Sequence, residues 1–107
     1  MRLSIKSKDP HILLEKIQHF LHSNSNFGWH MVTNKDGLAE FTPKDGMFQD
    51  KTSMYFYLRP LGNKVYLRGE FTKTSTDPFL NNSILGMLIG TLLNNFRSDI
   101  TRLSVLK

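Results

Sequence analysis

Tyrosines and basic residues recur at every second position in the segment YFYLRPLGNKVYLR, residues 55–68. Rings and cations in such a pattern can bind single-stranded nucleic acid, because bases stack on the rings, at about 1–3 kcal/mol per base, and phosphates pair with the cations. The candidate ligand-binding residues are Tyr55, Tyr57, Arg59, Lys64, Tyr66 and Arg68. We hypothesise that they present one basic aromatic surface to a polyanion such as single-stranded nucleic acid.

The same pattern has two other interpretations. Tyrosine favours strands, and an arginine beside a tyrosine on the neighbouring strand contributes about 0.5–1 kcal/mol through a cation–π contact. The residues can therefore form the solvated side of a sheet without any ligand, or a surface for a protein partner. No RNP-like consensus points to RNA in particular.

Histidines provide the second group of residues with possible chemistry. His11, Glu15 and His19 follow at four-residue spacing along a predicted helix, with His22 three residues further on. Zinc accepts such ligands, but the HExxH arrangement of zinc enzymes is absent. A polar helix face explains these residues, and His30 is expected to be an ordinary strand residue. We predict no metal site and no cofactor, while metal binding by the helix histidines stays an open alternative.

The sequence also lacks the motifs of common enzyme classes. There is no cysteine, so cysteine nucleophiles, thiolate zinc sites and disulfides are excluded. The GxSxG, GxGxxG and GxxxxGK motifs do not occur. Acidic residues are scattered and lie mostly in predicted caps, turns and loops, and no carboxylate pair stands out. We therefore predict that the protein is not an enzyme.

Length and charge limit the function classes further. The 107 residues are expected to form a single domain, residues 1–107. The chain has 14 Lys and Arg against 9 Asp and Glu, and its net charge of +5 favours anionic partners. It shows no secretory signal, which with the lack of cysteine indicates a cytoplasmic protein. The longest apolar run, residues 84–93, is about half the roughly 20 residues that a membrane-spanning helix needs.

Elements that would position the candidate residues follow from periodicity and capping signals. Residues 2–6 alternate apolar and polar side chains, which predicts a strand. Asp9-Pro10 and Asp77-Pro78 each predict a helix start, because Asp caps free amides and Pro suits the first turn. The first helix is expected to end in SNSN, residues 23–26. Its apolar stripe consists of Leu13, Leu14, Ile17, Phe20 and Leu21.

Two hairpins are predicted between the helices. A loop at residues 35–37, containing Asp36-Gly37, would place Met31 opposite Phe41 and Thr33 opposite Ala39. That register collects the large apolar groups on one side, and Trp29 extends it. Residues 43–53 are expected to form a long, turn-rich connection to the second hairpin.

The second hairpin carries the candidate site. With Gly62-Asn63 as a two-residue turn, residues whose numbers add to 125 lie opposite one another. The predicted core-side pairs are Leu58–Leu67, Phe56–Gly69 and Met54–Phe71. The predicted outer pairs are Arg59–Tyr66, Tyr57–Arg68 and Tyr55–Glu70. Tyrosine and arginine thus alternate across the outer side.

The last helix suggests a function of a different class. It is predicted from Asp77-Pro78 to about Phe96 or Arg97, with apolar residues on most sides, and is expected to be buried on more than one side. If its stripe of small residues at Ser83, Gly86 and Gly90 packs on the sheet, Leu88 needs cover from the first helix or from a second subunit. The alternative hypothesis is accordingly a homodimer or protein-interaction module that uses this helix. An enclosed apolar cavity between helices and sheet is a further alternative.

The order of elements predicts an α+β fold, a two-layer sandwich. We expect an antiparallel sheet of four to six strands with two helices on one face, in the order β-α-β-β-β-β-α. The tail RLSVLK, residues 102–107, echoes RLSIK at residues 2–6 and would be either a final strand or a helix end. The function predicted from the sequence is that of a small, basic, non-catalytic binding domain.

Overall fold

A computed structural model describes residues 2–23, 29–33, 39–43 and 52–106. The elements in chain order are β1 (Arg2–Lys6), α1 (Pro10–Ser23), β2 (Trp29–Thr33), β3 (Ala39–Pro43), β4 (Ser53–Leu61), β5 (Lys64–Lys73), α2 (Pro78–Phe96), a short 3-10 helix (Arg97–Asp99) and β6 (Arg102–Leu106). Neither α1 nor α2, the α-helices of the described residues, has the length and apolar character that crossing a membrane requires. The predicted α+β class and element order are confirmed.

The strands form one antiparallel sheet in the order β2-β3-β4-β5-β1-β6. The carboxy-terminal tail is therefore a strand rather than a helix end. It pairs with β1, so the two segments that resemble each other in sequence lie side by side. This places Ser4 directly opposite Ser104 and Lys6 directly opposite Arg102.

Both helices begin at the aspartates that the sequence predicts. The Asp9 carboxylate accepts a hydrogen bond from the backbone N–H of Ile12 at 3.2 Å. The Asp77 carboxylate accepts one from the N–H of Phe79 at 3.0 Å. Each carboxylate satisfies an amide that has no partner within its own helix, which is why the helices start there.

Both predicted hairpin registers are confirmed. Met31 lies opposite Phe41 and Thr33 opposite Ala39 in the β2–β3 pair. All six predicted pairs of the β4–β5 hairpin are present. Gly62 in its turn has a φ of 63°, a left-handed conformation that glycine adopts without the Cβ clash of other residues. The predicted loop at residues 35–37 and most of the connection at residues 43–53 lie outside the described residues.

The hydrophobic core lies between one face of the sheet and the two helices. Helix α1 buries Leu13, Ile17 and Leu21, with Leu14 and Phe20 packed partly buried beside them, as its apolar stripe predicts. The sheet contributes Leu3, Ile5, Trp29, Phe41, Met54, Phe56 and Leu67. Because side chains alternate along a strand, the residues between these point to the other side of the sheet, which we call the outer face.

The packing of helix α2 differs from the prediction that it is buried on more than one side. It buries one side only, formed by Ile84, Leu85, Leu88, Leu92 and Phe96. The small-residue stripe does not pack on the sheet, since a Cβ added at Gly86 or Gly90 would meet no atom within 4 Å. Leu88 is buried in the core and needs no other cover. The apolar residues of α2 go nearly all round, so their periodicity does not identify the side that packing selects.

Candidate functional site

The candidate residues lie on the outer face, opposite the layer in which α1 and α2 pack on the sheet. Pairing of β4, β5, β1 and β6 arranges this face in rows that run across the strands. The first row is Tyr55, Glu70, Arg2 and Leu106, and the second is Tyr57, Arg68, Ser4 and Ser104. In the third row Arg59 lies opposite Tyr66 and Lys6 opposite Arg102.

The first two rows hold a pair of stacked tyrosines. The rings of Tyr55 and Tyr57 have centroids 5.1 Å apart and planes inclined by 22°. Both hydroxyls donate to the same carboxylate oxygen of Glu70, at 3.4 Å from Tyr55 and 3.0 Å from Tyr57. The carboxylate therefore holds the two rings in register. A stacked pair still has two outer ring faces on which a flat ligand can continue the stack.

The environment of Tyr55 favours its protonated form. Partial burial is the largest cause that raises the pKa of Tyr55 above its ordinary value of 10.0, followed by electrostatic repulsion from Glu70, then from Tyr57, and by the hydrogen bond to Glu70. Tyr55 therefore stays neutral and continues to donate its hydrogen bond throughout the neutral pH range.

Arg68 occupies the centre of the outer face. It lies between Tyr57 on β4 and Ser4 on β1. Its Nε is buried and has no hydrogen-bond partner among the described residues. A buried donor without a partner costs about 1–3 kcal/mol. Because Nε is closed to solvent, an external acceptor such as a phosphate oxygen can pair with Arg68 only through the rest of its guanidinium group.

The third row forms the basic end of the face. Arg59 and Lys64 are exposed, and Tyr66 is half-buried between strands β4 and β1. A depression of about 260 Å³ opens here, which we call the basic basin. Its lining residues are Ser4, Lys6, Lys64, Tyr66, Arg102 and Ser104. Three strands, β1, β5 and β6, contribute cations or hydroxyls to it and none contributes a carboxylate.

A second depression, of about 490 Å³, shares Lys6, Lys64 and Tyr66 with the basic basin. It continues past Lys8 to the first turn of α1, where Asp9 and His11 line it. The Asp9 carboxylate is already engaged with the Ile12 amide. The two depressions together give a concave path from the start of α1 to the basic end of the sheet.

All six sequence-predicted residues lie on the outer face or its turn, but in two groups. Tyr55 and Tyr57 sit with Glu70 at one end, whereas Arg59, Lys64 and Tyr66 lie at the other. Arg68 lies between the groups.

Sequence reasoning missed the other basin residues, namely Ser4, Lys6, Arg102 and Ser104. The similarity between residues 2–6 and 102–107 was the one hint, because antiparallel pairing of the two segments sets their central serines, Ser4 and Ser104, opposite each other.

Other candidate residues form no comparable cluster. His11, His19 and His22 are exposed on α1, and His30 lies on β2 as predicted. Within the described ranges, no group of three or more His, Cys, Asp or Glu residues is placed to hold a metal ion. On α2 the exposed apolar side chains are Phe79, Met87 and Leu93.

Comparisons with known proteins do not assign the chain to a family. No family model, no curated protein and no solved structure matches it. Function must therefore be argued from the site itself rather than from the fold.

Proposed function

We propose that the protein is a small, non-catalytic binding domain that holds a polyanion, specifically single-stranded nucleic acid, on the outer face of its sheet. The observation that carries the proposal is the placement of three tyrosines and a row of cations on one face while both described helices pack on the other. Such a face offers ring stacking and phosphate pairing together, the combination that single-strand binders use.

The two ends of the face have different roles in this proposal. The stacked Tyr55–Tyr57 pair, which is hydrogen-bonded to Glu70, continues a stack of bases. Arg59, Lys64 and Arg68 neutralise phosphates along the strand. The Glu70 carboxylate repels phosphate from the aromatic end, so the backbone of the strand is directed towards the basic end.

Salt dependence follows from the number of phosphate contacts. If Arg59, Lys64 and Arg68 each pair with one phosphate, the logarithm of the binding constant falls with the logarithm of the salt concentration with a slope of about −2. A ligand held by stacking alone would show almost no slope.

Fluorescence anisotropy with a labelled mixed-sequence oligonucleotide tests the proposal at low and high salt. Arg68→Ala should weaken binding and make the slope shallower by about 0.7, because one phosphate contact is lost. Tyr57→Ala should weaken binding with little change in slope, whereas Tyr57→Phe keeps the ring and should bind nearly as wild type. Arg97→Ala is the matched control, because it removes one exposed cation outside the sheet. Absence of binding at about 100 µM protein in low salt would eliminate the proposal.

A homodimer or protein-interaction module is the second candidate function. Phe79 is 67% exposed and Met87 47% exposed on the outward side of α2, beside glycines that permit close approach. Sedimentation velocity distinguishes this candidate, because a chain that stays monomeric over a wide concentration range does not use α2 to pair with itself. A cytoplasmic location is proposed with either function, since a cysteine-free chain needs no oxidising compartment.

A further inference from the structure

The basic basin keeps like charges together without neutralising them. Lys6 and Arg102 are direct partners across β1 and β6, and Lys64 lines the same depression from β5. Like charges directly opposite in a sheet are destabilising. Over the described ranges, none of the three forms an ion pair; the ion pair found there joins Lys16 to Asp99. A bound anion would remove this repulsion.

Hydroxyl groups complete the lining. Ser4 and Ser104 are direct cross-strand partners, and Tyr66 stands on the next strand, β5. None of these hydroxyls is hydrogen-bonded to another described side chain or backbone group. Three cations and three hydroxyls therefore surround a space of about 260 Å³ with donors. A tetrahedral phosphate presents acceptor oxygens in several directions and suits such a lining.

The balance of charge selects the kind of phosphate. A bridging phosphodiester carries one negative charge, whereas a phosphomonoester carries about −1.5 to −2 at neutral pH. Three cations with no carboxylate in the lining favour the more highly charged group. The adjoining depression, with Tyr66 on its wall, leaves room for the group that the phosphate is attached to.

We propose that the basic basin, Ser4, Lys6, Lys64, Tyr66, Arg102 and Ser104, binds a phosphomonoester group. On the outer face this group is the terminal phosphate of the strand, an identification that rests on the proposed function. The basin thus anchors one end of the strand, and the tyrosine pair holds the bases beyond it.

Three labelled oligonucleotides of one sequence, with a 5′ phosphate, a 3′ phosphate or neither, test the proposal by anisotropy at low salt. One phosphorylated form should bind about tenfold more tightly than the unphosphorylated strand, the factor that one additional hydrogen bond to a charged group supplies. Arg102→Ala should abolish the preference, and Arg97→Ala should leave it intact. Lys64→Ala, next to the turn, provides a second test should Arg102→Ala fail to fold.

Titration of the protein with pyrophosphate, followed by NMR shifts of the Ser4 and Ser104 amides, separates this inference from the proposed function. Equal affinity for all three strands, or a preference that survives both basin variants, overturns the phosphomonoester site and leaves strand binding in place. Pyrophosphate binding at the basin without strand binding supports the site for small phosphates and overturns the proposed function. If none of the three strands binds and pyrophosphate does not bind either, both proposals are overturned.

Discussion

Gly69→Ala tests the strand register on which the outer face depends. Gly69 is buried on β5 directly opposite Phe56 of β4, between the outward residues Arg68 and Glu70. A Cβ added at Gly69 would lie 2.9 Å from Cε1 and 3.2 Å from Cδ1 of Phe56. Carbon atoms prefer separations of about 3.5–4.0 Å. Phe56 is 4% exposed and packs near Phe41, so its ring has little space into which to move.

Two opposing terms give the size of the effect. Overpacking of a core typically costs about 1–3 kcal/mol. Alanine regains the roughly 0.5–1 kcal/mol by which glycine weakens a strand. The free energy of unfolding should therefore fall by about 1–2 kcal/mol, which lowers the Tm by about 5–10 °C in a domain of this size. Urea denaturation should show a lower midpoint with an unchanged m-value.

Gly90→Ala is the matched control. Nothing lies within 4 Å of its added Cβ, and alanine is the better helix former, so this variant should gain about 0.5–1 kcal/mol. In a Phe56→Leu background, Gly69→Ala should cost less than in the wild-type background, because the obstructing ring atoms are gone. If Gly69→Ala is neutral, or costs as much with leucine at position 56, Gly69 does not face Phe56. The register would then differ, and Arg68 and Glu70 would not lie opposite Tyr57 and Tyr55.

Two further predictions concern the tyrosine pair and the helix cap. Because the folded-state pKa of Tyr55 is raised above 10.0, the stability that its proton contributes is complete below pH 10 and is lost as the pH rises through the folded-state pKa. Glu70→Gln should move the spectroscopic titration of this tyrosine to lower pH, though partial burial still holds it above the ordinary value; an unmoved titration would rule out the Glu70 contribution. Asp77→Ala should lower the free energy of unfolding by about 1 kcal/mol, since the Phe79 amide loses its acceptor. Asp99→Ala, which breaks an exposed ion pair to Lys16, should change it by less than about 0.5 kcal/mol, and equal losses would contradict the capping argument.

Local signals predict most of this fold. Asp9-Pro10 and Asp77-Pro78 start the helices because capping depends only on residues one to three positions away. The β4–β5 register follows from the glycine turn and from the segregation of apolar residues, both of which are local. The same local signals predict that the six candidate residues share one face of the sheet.

The features that the sequence did not predict depend on pairing between strands that are far apart in the chain. β1 and β6 lie at opposite ends of the chain, and no turn between them indicates that they are neighbours in the sheet. Lys6 and Arg102 meet only because the sheet places β1 between β5 and β6. Each cation alone resembles an ordinary surface lysine or arginine, and only the pairing turns two of them into a repulsive cross-strand pair.

The prediction of which side of α2 is buried was wrong for a related reason. A helix with apolar residues on most sides can bury a similar apolar area in several orientations. Only its packing against the sheet and α1 therefore selects the side that is buried. In the structure Ile84, Leu88 and Leu92 are buried, whereas Gly86 faces outward. The dimer hypothesis therefore shifts from Leu88 to the exposed Phe79 and Met87, a different surface from the outer face. Because the two surfaces lie on opposite layers, the chain can pair through α2 and still leave the basic basin open, so a dimer would present two such faces rather than hide them.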